Sequence, residues 1–378
     1  MNNNLPININ DNLPYLIKGK RMKIAIVGIR GLPNNYGGFE TLADYLVEYL
    51  SADFEITVYC SSKDMDTRGK EYKGAKLKYI PVTSHGGLGI VYDSISLLNA
   101  IKNNDKILFL GFGGGFVMPF IKKYHKKIIV NIGGLDWQRN KWSPKAQKVI
   151  KKAESLLLTN CTSIISDNKG IQEYIKDTYH RDSELIAYGG DQATNEPITD
   201  EALNNYPFLK AKYAFIVTRI QQDNNIDMML EAFSKQDKMP LVMVGNWKNS
   251  TYGIETKKKY SEKKKLILLD AIYDRKKLDV LRSNCALYIH GHSAGGTNPS
   301  LAEAMYLGLP VFAFASGYNE HTTEHKAVYF KNENELLSLI DNIDQLDLKK
   351  ISENLKEVAE RAYRWKIVAD SYKKIFYS

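Results

Sequence analysis

At 378 residues, with 44% hydrophobic and 25% charged residues, the chain has the make-up of a soluble globular protein long enough for two domains with full cores. Three scattered cysteines (Cys60, Cys161 and Cys285) lack metal-ligand spacing and exclude a disulfide scaffold; they read as buried thiols in a reducing compartment. A net charge of +9 leaves nucleic acid, an anionic membrane surface and phosphorylated substrates open as partners.

Residues 1–21 are polar, without a basic-then-apolar signal pattern, and are expected to be a loose N-terminal extension. Residues 23–28 read as a buried parallel strand running into Arg30-Gly31-Leu32-Pro33-Asn34-Asn35-Tyr36-Gly37-Gly38-Phe39-Glu40-Thr41. A helix follows, with Leu42, Tyr45, Leu46, Tyr49 and Leu50 at helical spacing. The paired glycines Gly37 and Gly38 let a backbone approach a phosphate or a sugar closely. Strands are expected at 54–60 and 77–81, a helix at 91–102 and a strand at 106–110. Gly111-Phe112-Gly113-Gly114-Gly115-Phe116 starts like a dinucleotide fingerprint but ends in phenylalanine, and reads instead as a glycine-lined cleft floor. The apolar run 107–121 is shorter than the ~20 residues that span a bilayer, so a cytoplasmic protein is expected.

Two basic stretches follow, 122–127 and 141–152. Each is either a solvated face or a dock for anionic headgroups. A strand at 127–132 delivers Gly133-Gly134-Leu135-Asp136-Trp137-Gln138-Arg139 to a loop where parallel sheets hold ligands. Tryptophan faces stack on sugars and Asp136 can accept a sugar hydroxyl; alternatively Trp137 and Trp142 anchor the core. Strand 163–166 ends at Asp167, which either caps the next helix or points into a cleft. Tyr188 and Asp191 lie on the crossover to a second domain.

In the second half, strand 213–217 ends in Thr218-Arg219, and Asn224 precedes a helix. Strand 286–289 is followed by His290-Gly291-His292-Ser293-Ala294-Gly295-Gly296-Thr297-Asn298-Pro299-Ser300 and a helix to Tyr306 ended by Gly308. A strand, a glycine loop and a helix N-terminus in succession make an anion site. Glu303, one turn in, suits the two hydroxyls of a ribose or sugar. The last helix, 364–377, carries Trp365, Val368, Tyr372 and Phe376 nearly in line.

The string Asn298-Pro299-Ser300 followed by Glu303-Ala304-Met305, Gly308 and Pro310-Val311 resembles the donor-nucleotide motif of retaining GT-B glycosyltransferases of family 4. The stretch 290–300, together with 30–41, resembles the bacterial rhamnosyltransferase branch of polysaccharide assembly. That resemblance implies two Rossmann-like domains facing a central cleft: an acceptor-side domain over 22–195, a nucleotide-sugar domain over 196–360, and a helix over 361–378 crossing back. It implies transfer of a sugar, L-rhamnose from dTDP-L-rhamnose foremost, to a lipid-linked saccharide, with peripheral contact at the cytoplasmic membrane face. Donor binding is expected at Gly37, Gly38, Arg219, Asn224, His290, His292, Thr297, Asn298, Pro299, Ser300 and Glu303, and acceptor binding at Trp137 and Arg139. No metal or cofactor beyond the donor is expected, since no Asp-x-Asp pair is placed like a metal site and Arg219 with backbone N–H groups can neutralise the leaving phosphate.

Two positions depart from the pattern: the family's diphosphate lysine is Asn224, and its first glutamate, eight residues before Glu303, is Gly295. The catalytic carboxylates are therefore expected in the first domain, at Asp136 and Asp167, with Tyr188 beside them. Alternatives are another nucleotide-hexose donor or a non-catalytic sugar-nucleotide-binding partner. An NAD oxidoreductase is disfavoured by the broken fingerprint, and no motif supports a nucleic-acid binder.

Overall fold

The computed structural model describes residues 20–33, 37–66, 68–138 and 142–378. The first-half strands are β1 (Lys23–Val27), β2 (Glu55–Ser61), β3 (Glu71–Tyr72), β4 (Ala75–Ile80), β5 (Lys106–Leu110), β6 (Ile128–Asn131), β7 (Ser163–Ser166) and β8 (Glu184–Leu185). They form one sheet in the order β3-β4-β2-β1-β5-β6-β7-β8, parallel except for the β3–β4 edge pair. The second-half strands are β9 (Ala214–Val217), β10 (Leu241–Val244), β11 (Leu266–Leu269), β12 (Leu287–His290), β13 (Val311–Phe314) and β14 (Val328–Phe330). Their sheet is wholly parallel, in the order β11-β10-β9-β12-β13-β14.

Helices cover both faces of each sheet, which is why the central strands are near-continuous apolar runs rather than alternating ones. Lys-Ile-Leu-Phe-Leu in β5 and Leu-Val-Met-Val in β10 are buried at almost every position. In both sheets the strand order reverses once, beside β1 and β5 in the first and beside β9 and β12 in the second. Ligands bind outside the carboxyl ends of the strands at such reversals. The loops after β1, β5, β9 and β12 are thereby marked before any side chain is considered.

The final helix, Trp365–Tyr377, leaves the second domain and completes a core of the first. Trp365 stacks on Tyr45 with ring centroids 4.3 Å apart, and Phe376 meets Phe54 edge-on. The two crossings between domains are bound to each other. Gly190 N–H donates to the Tyr363 carbonyl at 2.8 Å, and the Trp365 backbone N–H to Asp191 at 2.8 Å. Gly189 is required there, because a Cβ would come within 2.5 Å of the Trp365 ring.

One expectation fails here. Gly113, Gly114 and Gly115 do not line a cleft; they lie in a buried 3-10 turn, Gly113–Phe120. Their missing side chains admit Asp93, Phe109 and the Ala153 backbone, so they serve close packing between helices Leu88–Asn103 and Pro144–Leu158. Only Gly111, half-buried with φ +112, has open space where a side chain would stand.

Candidate active site

On the second domain, the loop after β9 is built around Asn224. This side chain is 3% exposed, and its amide donates to Thr218 Oγ1 at 3.2 Å and to the Arg219 carbonyl at 2.7 Å. Asn224 is therefore not the donor contact expected from its position. It holds the loop that presents the exposed Arg219. Asn224→Ala is expected to cost about 1–2 kcal/mol in urea unfolding and to weaken nucleotide binding through a looser Arg219.

The loop after β12 is stitched to the one after β9. Asn225 Nδ2 donates to the Gly291 carbonyl at 2.8 Å, and the Ser293 N–H and hydroxyl both reach the Asp223 carbonyl. His290 is fully buried at the end of β12, neither ring nitrogen has a partner, and burial pushes its pKa down to about 3. It is a neutral platform, not the donor contact expected. His292, half-buried, stacks on it at 4.6 Å and takes the exposed side of the pair.

The chain then enters helix Pro299–Tyr306. Asn298 caps it, its Oδ1 accepting from the Ser300 N–H at 3.0 Å and the Ser300 hydroxyl at 2.7 Å, with Pro299 at the first position. Glu303 is not a loose surface acid. Arg282, 1% exposed, donates to one carboxylate oxygen and Gln192 to the other. Arg282 is also paired with buried Asp279, and Gln192 accepts from the Trp365 indole at 2.6 Å. An ionised carboxylate has about four acceptor directions, so ribose hydroxyls can still be received. Neither Arg282 nor Gln192 was singled out from the sequence. Arg282 lies in the last turn of helix Arg275–Ser283, and only the fold brings it under Glu303.

The first domain meets these loops with backbone and acid. A Cβ at Gly134 would lie 3.3 Å from Gly295 Cα, so the loops after β6 and β12 touch. Asp167, 2% exposed, sits against Gly296, where a Cβ would fall 1.9 Å from its Oδ1. That oxygen has no partner. The Thr297 hydroxyl donates to the Asp167 carbonyl. Burial pushes the Asp167 carboxyl well above its usual range, opposed by N–H groups of its own residue and Thr297. The helix cap is not Asp167 but Asn168, which accepts from Gly170 N–H at 2.9 Å and donates across the cleft to the Tyr318 carbonyl at 3.0 Å. Tyr188 is buried, and its phenol is raised well above normal by burial and by the charges of Asp167, Tyr372 and Glu40. It stays protonated and forms a wall against Gly38.

Glu40 is a further acid the sequence did not point to as a site residue. It follows the helix N-cap Gly37, whose φ of +128 and lack of Cβ leave room for the carboxylate. Its Oε1 accepts the Arg30 N–H at 2.9 Å. Burial raises its pKa against the pull of that hydrogen bond and of Arg219 across the cleft. An acid in the first turn of a glycine-started helix was the available signal.

Asp136 Oδ2 accepts the Trp142 indole N–H at 2.8 Å. Trp137 lies under Lys151, 4.0 Å from the ring centroid, and against Tyr174, on the helical layer. One face of its ring is thus occupied by a lysine. Arg139 lies outside the described residues.

The two strand-order reversals thus face each other across one cleft. One side offers Arg219, His292 and a capped helix N-terminus; the other offers Asp167 and Glu40. This is the GT-B architecture. Residues 198–365 match the family model "Glycosyl transferases group 1", so the second half is a glycosyltransferase group 1 domain. Residues 21–191 match "Domain of unknown function (DUF1972)".

No curated protein matches the sequence. Among solved structures, sucrose-phosphate synthase from Thermosynechococcus elongatus superposes with a TM-score of 0.78 at 17% identity, covering 94% of this chain and 98% of that one. HepE from Anabaena, in complex with UDP, gives 0.71 at 12% identity over 94% and 99%. A trehalose-6-phosphate protein from E. coli, bound with UDP-2-fluoro glucose, gives 0.70 at 11% over 94% and 98%. At these identities the likeness is one of fold.

Proposed function

We propose that the chain is a retaining glycosyltransferase that moves L-rhamnose from dTDP-L-rhamnose to a lipid-linked saccharide at the cytoplasmic membrane face. The observation that carries it is the juxtaposition of Arg219 and the helix capped by Asn298 with the buried Asp167. Cation and helix N-terminus match a departing diphosphate. The first-domain carboxyl lies against Gly296, next to the position where the family pattern has its missing acid. In this reading Asp167 supplies the carboxyl group that lines the reacting centre, and glycine at 296 is what admits it. Glu303, oriented by Arg282, takes the ribose. Arg219 and backbone N–H groups do the neutralising, so no resident metal is needed.

The rhamnose assignment leans on the strings at 30–41 and 290–300. A second reading, the same chemistry with a UDP-hexose, is favoured by the UDP and UDP-sugar complexes among similar folds. Thermal shift with dTDP, UDP, GDP, ADP and NAD separates them, followed by turnover of the matching sugar nucleotide. A ligand at about one hundred times its Kd stabilises by about 2.7 kcal/mol. dTDP is expected to produce that shift, and dTDP-rhamnose to be consumed only with a lipid-linked acceptor. A shift with UDP alone moves the reading to a hexose, binding without turnover moves it to a non-catalytic partner, and a shift with NAD alone overturns it.

A further inference from the structure

Helix Leu88–Asn103 carries an apolar stripe on its solvent side. Leu88 is 56% exposed, Val91 44%, Ile95 38% and Leu98 39%. At about 100° per residue these four fall within about 80° of one another. Lys102, also exposed, falls inside the same sector. The helix packs against the Gly113–Phe120 turn, and that turn against helix Pro144–Leu158, so the three segments form one layer. Two more apolar side chains stand out of that layer, Phe120 at 85% exposure and Val149 at 45%.

The exposed charge within 88–103, 113–127 and 144–158 is of one sign. Lys122, Lys123 and Lys126 follow Phe120, are exposed, and have no salt bridge among the described residues. Lys145, Lys148 and Lys152 flank Val149 and are exposed. Lys127 is excluded, since its ammonium is held by the Asn104 carbonyl at 2.7 Å. Across 88–103, 113–127 and 144–158 there are two acids, Asp93 and Glu154. Both turn inward: Asp93 lies over Gly113, and Glu154 is 1% exposed and accepts from Tyr174 and Tyr179.

We infer that this layer is a membrane-docking face: Leu88, Val91, Ile95, Leu98 and Phe120 enter the headgroup region of an anionic bilayer while the lysines bind its phosphates. An apolar stripe edged by lysines and free of carboxylates fits an anionic bilayer, which supplies both an apolar interior and negative charge. A nucleic acid matches the charge but has no apolar interior for an aliphatic stripe to enter. No helix of the described residues is long and apolar enough to cross a membrane, so the contact is peripheral. The inference rests on the lipid-linked acceptor proposed above, for which this face would hold the cleft near the lipid surface.

The test is flotation of the full chain with vesicles of phosphatidylcholine alone or with phosphatidylglycerol, containing neither donor nor saccharide. It therefore fails or succeeds separately from the enzymatic reading. Binding is expected only with phosphatidylglycerol. Each lysine near such a surface contributes about fivefold, so Lys122→Gln, Lys123→Gln and Lys126→Gln together are expected to lower partition on the order of 100-fold. Val91→Ser with Ile95→Ser is expected to lower it at least about tenfold by removing insertion. All substitutions are at exposed positions, and unchanged nucleotide thermal shifts would show the cleft intact. Wild-type protein that ignores phosphatidylglycerol overturns the inference, as does equal flotation of the variants. So does a dimer in sedimentation that the Val91→Ser, Ile95→Ser variant dissociates, because the stripe would then belong to a second copy.

Discussion

Asp167→Asn is expected to cut sugar transfer by at least about 100-fold, the usual range for a lost acid–base or charge-stabilising group, and at the same time to raise the melting temperature at neutral pH. The two effects have one cause. Asp167 is 2% exposed, one of its oxygens has no partner, and burial lifts its pKa well above the ordinary value. A group whose folded-state pKa is raised stabilises fully below its unfolded pKa, and that contribution is lost as pH rises through the folded value. Asparagine has no proton to lose. The variant-minus-wild-type difference in melting temperature should therefore be near zero below about pH 4 and grow as pH rises. Melting curves across that range, with turnover at neutral pH, read both effects. Full activity in the variant removes Asp167 from the chemistry. A stability difference that does not change with pH means the carboxyl is not carried as a buried acid.

Arg282→Met is expected to cost about 3–5 kcal/mol, because breaking a buried ion pair leaves its partners uncompensated. Arg282 lies between Asp279, which is 0% exposed, and Glu303. Methionine fills the stem's volume but satisfies neither carboxylate. Adding Glu303→Gln to Arg282→Met should recover part of the loss, since one stranded charge is removed, and a double-mutant cycle in urea measures that coupling. Nucleotide affinity should fall in the single variant too, because Glu303 is then oriented by Gln192 alone. A loss below about 1 kcal/mol, of the size seen for exposed pairs, would contradict the buried network.

This network also explains how the cleft is held. Trp365 donates to Gln192, Gln192 to Glu303, and Arg282 ties Glu303 to Asp279. The returning C-terminal helix, the interdomain crossover and Glu303 are thus one connected unit.

Much of the fold was legible in the chain. Buried parallel strands show as apolar runs, and Asn298-Pro299 and Gly308 punctuate the motif helix because only those residue types suit those backbone positions. Gly113 to Gly115 read as a cleft floor, and Trp137 as either a sugar platform or a core anchor, because glycine and tryptophan serve packing and binding equally well. Which of the two they serve depends on what lies opposite, and here that is Asp93, Phe109 and the Ala153 backbone for the glycines and Lys151 for Trp137.

Local sequence, then, determined the strands, the capped helices and the two loops that face each other, since these follow from backbone preference and periodicity within a few residues. Only the tertiary structure decided the site's chemistry. It buried His290 and Asn224, turned Asp136 to Trp142, brought Asp167 onto Gly296, and set Arg282 beneath Glu303. A carboxyl's pKa, a histidine's charge and an arginine's partner depend on desolvation and on neighbours far away in the chain. Packing sets both, and no local stretch of the sequence contains them.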